Sequence, residues 1–148
     1  MATRFQLSID CADPGRLCRF WSEALGYEVP PPPEGHATWT SFWRSIGVPE
    51  DELEDDGPDR IDDPDGVGPR LRFQKVPEGK VVKNWLHLDL MVGGGRDVPL
   101  DVRKPRVLAE AERLKVAGAT ELTVLEHEGL DHFAVVMQDP EGNEFCVV

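Results

Sequence analysis

One order of elements occurs twice along this chain, and the duplication restricts its fold more than any single motif does. In the first half, Gln6-Leu7-Ser8-Ile9-Asp10 alternates like a half-buried strand. Asp13-Pro14 then opens a helix, with Asp as N-cap and Pro at the first helical position. Leu17, Phe20, Trp21, Ala24 and Leu25 follow at helical spacing, and Gly26 ends the stripe. Three extended segments are predicted next, at Tyr27 to Val29, Thr38 to Trp43 and Leu71 to Val76.

The second half repeats the order. His87-Leu88-Asp89-Leu90-Met91 reads as a strand, and Val107, Leu108, Ala111, Leu114 and Ala117 form a helical stripe closed by Gly118. Extended segments follow at Glu121 to Leu125, His132 to Met137 and Glu144 to Val148. Asp139-Pro140-Glu141-Gly142-Asn143 supplies a tight turn between the last two, so they read as a hairpin. Both halves are therefore β-α-β-β-β, which predicts an α+β protein of eight strands. Helices are expected over 14–25 and 106–117. The modules are expected at 1–78 and 80–148, with an acidic loop at 44–69 inserted in the first.

Charge narrows the partners. A net charge of −12 repels nucleic acid and anionic membrane alike. Ten carboxylates and one arginine fall between Glu50 and Asp65, broken by Gly57, Pro58 and Pro64. This segment reads as a solvated insertion. Asp63-Pro64-Asp65-Gly66 faintly resembles a calcium loop but lacks EF-hand spacing, and a partner or lid role is the third reading. Three cysteines without a Cys-x-x-Cys pair, no apolar run of membrane length and no apolar signal region predict a soluble cytoplasmic protein.

Phe20-Trp21, Leu25-Gly26-Tyr27 and the closing Asp139-Pro140-Glu141-Gly142-Asn143 resemble the vicinal oxygen chelate superfamily of glyoxalase I, bleomycin-resistance proteins and extradiol dioxygenases. Phe73 to Glu78 and Asn84 to Leu90 look more narrowly like the bacterial glyoxalase-like domain group. The resemblance implies curved mixed sheets with helices outside, a cavity on the non-helical sheet face, and homodimers with each cavity filled mainly by one chain. It does not fix a reaction, because one fold hosts many chemistries.

Strand alternation identifies the residues of that face. Leu7, Ile9, Leu71, Phe73, Leu86, Leu88, Leu90, Phe145 and Val147 are expected against the helices. Gln6, Arg72, Gln74, His87, Asp89 and Cys146 fall opposite, where a polar face could equally just meet water. Trp39 and Trp43, four apart, are either core or a ligand platform. His87 with Asp89 reads as a general base with its orienting carboxylate, or as a structural histidine. Arg72 could clamp an anion bidentately, or simply pair with Asp89 or Asp10.

By the resemblance, metal ligands would sit at Gln6, Gln74, His87 and Cys146. Two neutral carboxamides, one imidazole and one thiol suit neither Mg²⁺ or Mn²⁺ nor an iron dioxygenase site. A metal-free, ligand-binding protein is therefore expected, with no cofactor. The alternative is a lyase, isomerase or dioxygenase using Zn, Ni, Mn or Fe on a small oxygenated metabolite, with His87 as its catalytic residue.

Overall fold

A computed structural model describes residues 1–53, 57–127 and 129–148, and the chain divides into two compact units, 1–77 and 78–148. Within the acidic segment, residues 54–56 lie outside the described residues.

In the first unit, β1 (Leu7–Cys11) leads into α1 (Pro14–Leu25). The Asp13 side chain accepts from the Arg16 N–H at 2.9 Å, and Gly26 closes the helix at φ 70°, where a side chain would be strained. Leu17, Cys18, Phe20 and Trp21 are buried, and α1 packs on β2 (Arg60–Ile61) and β3 (Leu71–Lys75). Burial pushes the Cys18 thiol up to about 12, so it stays a neutral core group at neutral pH. The sheet order is β1-β3-β2, with β1 parallel to β3 and β2 antiparallel to it.

The second unit follows the expected order, from β4 (Asp89–Leu90) through α3 (Leu100–Ala117) to β5 (Thr120–Glu126), β6 (Phe133–Gln138) and β7 (Glu144–Val147). Its sheet runs β4-β7-β6-β5, again with one parallel pair, β4 with β7. Val107, Ala111 and Leu114 are buried on α3, which packs on β5, β6 and β7. Each unit thus carries a mixed sheet with a helix on one face. The fold class is α+β, as expected.

Four details differ from the sequence reading. Thr38 to Trp43 is not a strand: α2 (Trp39–Ser45) is a helix, N-capped by Thr38, whose hydroxyl accepts from the Ser41 N–H at 3.0 Å. An i, i+4 pair shares a face in either geometry, so the tryptophan spacing could not separate them. The described residues consequently form seven strands rather than eight, and the remaining position is a single bridge, Glu28 to Asp62. That bridge keeps the duplication intact. It extends β1-β3-β2 by one antiparallel partner placed directly after α1, as β5 directly follows α3 in β4-β7-β6-β5.

Next, β4 is only two residues long, and Leu86 is 77% exposed rather than packed against a helix; Leu90 alone of its expected trio is fully buried. Lastly, α3 begins six residues before the expected start, because Pro105 lies inside it. A proline so near the N-terminus forfeits only one backbone hydrogen bond there. Leu108, expected in the buried stripe, is 41% exposed. None of the described helices is long and apolar enough to cross a membrane.

Candidate functional site

The sequence-derived site residues fall into two sets, one in each unit. In the first unit, the alternation of β3 holds: Leu71 and Phe73 are buried while Arg72 and Gln74 face away from them. That second face floors a cavity of about 450 Å³, lined by Gln6, Trp39, Trp43, Asp59, Arg72 and Gln74 among others. All five of the expected first-unit residues, Gln6, Trp39, Trp43, Arg72 and Gln74, therefore line this one cavity.

Helix α2 supplies the aromatic side of this cavity, and the insertion supplies the arginine against it. Trp39 and Trp43 stack with ring centroids 5.6 Å apart and planes at 26°, and the Trp39 indole N–H donates to the Pro30 carbonyl at 3.1 Å. The guanidinium of Arg60 lies over both rings, 4.8 Å from the Trp39 centroid and 5.3 Å from that of Trp43. Arg60 also makes a two-pronged pair with Asp59, at 2.6 and 2.8 Å.

Arg72 does not share that pairing fully. Among the described residues, the carboxylate paired with it is Asp59, rather than the Asp10 or Asp89 expected from sequence, and its Nε stays 3.9 Å from Asp59 Oδ2. That Nε is occluded from solvent and has no hydrogen-bond partner among the described residues. Asp59 and Arg60 were missed by the sequence reading. An aromatic pair facing a strand in which a lone arginine interrupts ten carboxylates was the available signal.

In the insertion, the Asp63 carboxylate turns onto its own loop. It accepts from the backbone N–H groups of Asp65, Val67 and Gly68, and these bonds hold its carboxyl below the usual carboxylate range. Both oxygens that a calcium loop would offer to its ion are instead accepting from the backbone. A Cβ at Gly68 would meet the Tyr27 hydroxyl at 1.9 Å, so a side chain there would push the tyrosine tip aside.

In the second unit, β4 pairs with β7 so that Asp89 lies beside Cys146. Ligand atoms of His87, Asp89 and Cys146 all lie within 4.8 Å of one another, and His87 Nε2 is 3.5 Å from Asp89 Oδ1. Burial pushes the Cys146 thiol up, and the charge and hydrogen bond of Asp89 push it further. A thiol so held is a poor nucleophile. Glu144, the neighbouring carboxylate on β7, is engaged elsewhere. Burial would raise its pKa, but the Asn84 backbone N–H at 3.2 Å and the Lys80 ammonium at 3.2 Å outweigh this and lower it. Asp89 was read from sequence as an orienting group for His87; the structure makes it a third donor of the same cluster.

Comparison with known proteins agrees with this architecture. The model of the glyoxalase-like domain matches residues 6–148. A hypothetical protein from S. aureus is similar in structure with a TM-score of 0.59 at 13% identity, over 99% of this chain and 93% of that one. A glyoxalase/bleomycin resistance/dioxygenase family enzyme from Burkholderia phytofirmans PsJN gives 0.54 at 16% identity, over 96% and 94%. A mutant of the fosfomycin resistance protein FosX from Listeria monocytogenes, in complex with Mn(II) and 1S,2S-dihydroxypropylphosphonic acid, gives 0.57 at 8% identity, over 99% and 90%. No curated protein matches the sequence significantly. With a family model covering nearly its whole length, the chain belongs to the glyoxalase-like domain family, within the vicinal oxygen chelate superfamily.

Proposed function

We propose that the chain binds a small organic molecule in the cavity of the first unit, on the sheet face opposite α1, without a tightly held metal. One observation carries the reading: about 450 Å³ of space is bounded by two stacked indoles and by strand side chains with free polar groups. Ligand cavities commonly combine this size with an aromatic wall and a few convergent polar groups. The relatives do not narrow the chemistry, since FosX holds Mn(II) with a phosphonic acid while other neighbours are oxidases.

Quenching of tryptophan emission by 2-naphthoate or 2-naphthamide tests the proposal. At least one of the two should bind, and Trp43→Ala should weaken that binding about tenfold, the value of one good aromatic contact. Absence of saturable quenching by both compounds, or equal affinity in the variant, would sink the reading.

A second reading, a divalent-metal enzyme acting on an oxygenated metabolite, is favoured by the convergence of His87, Asp89 and Cys146. These three would hold the ion, which would supply Lewis-acid polarisation of a substrate oxygen. The donor set fits a borderline-soft ion such as Zn²⁺ better than Mg²⁺, but only Asp89 is an anion without first losing a thiol proton. Weak binding is the expected result in a calorimetric Zn²⁺ titration. It should be reversed by a mild chelator, be weakened by acidification because ligands must be deprotonated, and disappear in His87→Ala. Tight stoichiometric binding by the wild type would transfer the chain to the metal-dependent class.

A further inference from the structure

We propose that the ligand of the first-unit cavity is a planar aromatic carboxylate, and that Arg72 receives its carboxylate; this rests on the binding reading above. Arg60 on β2 and Arg72 on β3 are directly opposed. Like charges in such cross-strand positions repel unless an anion lies between them.

The anion present is Asp59, and it is not shared equally. Both of its oxygens bond Arg60, at 2.6 and 2.8 Å, whereas Arg72 Nε stays at 3.9 Å, beyond hydrogen-bond range. Among the described residues, two cations therefore share one carboxylate, and Arg72 is the less compensated of the two. Its Nε is occluded from solvent and has no hydrogen-bond partner among the described residues, while the side chain as a whole is 42% exposed. The exposed part of the guanidinium can therefore meet an incoming carboxylate through charge-assisted bonds. Elsewhere the chain is strongly acidic, at −12 overall, yet the described charged residues lining this cavity are Arg60, Arg72, Lys75 and Asp59.

The shape of the ligand follows from the other wall. Trp39 and Trp43 stack within 26° of parallel, and Arg60 is fixed over their faces, so it is spoken for by both the rings and Asp59. Both indoles line the cavity, and a flat aromatic ring packs against indole, edge-to-face or offset, better than a branched aliphatic group does. Gln6 and Gln74 add carboxamide groups on the same lining, able to donate to a second oxygen on the ligand. Arg72, with a planar fork of donors, matches a carboxylate more closely than a point charge would.

The test compares 2-naphthoate with its neutral isostere 2-naphthamide in calorimetric titrations of wild type, Arg72→Gln and Arg72→Lys. Wild type should prefer the acid by about ten- to a hundred-fold, the factor of one charge-assisted hydrogen bond. Arg72→Gln should abolish the preference, bringing the affinity for the acid down to that for the amide. Arg72→Lys, which keeps the charge and serves should the glutamine variant fail to fold, should retain an intermediate preference. Equal wild-type affinity for acid and amide would overturn the inference while leaving the cavity reading intact, and so would a preference that survives Arg72→Gln. Binding of neither compound would overturn both.

Discussion

Replacing Asp139 by alanine should lower the stability to unfolding by about 2–3 kcal/mol, measured by urea denaturation. Asp139 is only 3% exposed, an unusual place for a carboxylate. Its Oδ1 accepts from the backbone N–H groups of Glu141 at 2.9 Å and Asn143 at 3.0 Å, and the Asn143 side-chain amide donates to both oxygens. The same turn is closed by the backbone, Asp139 N–H to the Asn143 carbonyl and Gly142 N–H to the Asp139 carbonyl, both at 2.9 Å. Removing the carboxylate leaves these donors in a place that water reaches poorly, and an unmet buried donor costs more than a normal bond contributes. Asp139→Asn keeps one acceptor oxygen and should cost only about 1 kcal/mol. A loss below about 0.5 kcal/mol for the alanine variant would mean that Pro140 and the positive φ of Gly142 set the turn unaided.

That turn was legible in the sequence because its residues have local reasons to be there. So were α1, with Asp13, Pro14 and Gly26 marking both ends, and the hairpin of β6 and β7. The elements misread were those whose local signals conflict. Trp39 and Trp43 satisfy helix and strand spacing equally, and Thr38 as an N-cap was the only feature that separates them. Pro105 reads as a helix boundary although it lies within α3. Arg60-Ile61 is too short to show a period, so β2 was hidden inside an acidic stretch.

The site was legible to the same extent. Strand alternation placed Arg72 and Gln74 on one face and Asp89 and Cys146 on the corresponding face of the second unit, because a period of two needs no tertiary information. What period two cannot supply is which loop covers a face. Asp59 and Arg60 decide the charge of the cavity, and they come from the insertion, whose course depends on packing rather than on pattern. The competition for one carboxylate between two opposed arginines was beyond reach for the same reason. It is a consequence of register between β2 and β3.

The duplication makes its own quantitative demand on the core. Phe73 on β3 and Phe145 on β7 each stand one residue before the site position of their strand, Gln74 and Cys146. Both strands are the parallel partners of their unit's first strand, and both phenylalanines are 1% exposed. Each is a side chain whose ring fills the space between sheet and helix while its backbone carries the polar neighbour on the opposite face. Phe73→Ala and Phe145→Ala should each cost about 3–5 kcal/mol, the transfer free energy of the ring plus the cavity it leaves. That is a large share of a typical stability of about 5–15 kcal/mol. Leucine at either position, which refills most of the volume, should cost clearly less. Ligand binding gives the two positions different signatures. Phe73→Leu should weaken 2-naphthoate binding through a shifted Arg72, whereas Phe145→Leu, in the unit without that cavity, should not. Denaturant titration gives the first quantity and calorimetry the second. Equal effects of the two leucine variants on binding would contradict the assignment of the ligand to the first unit alone.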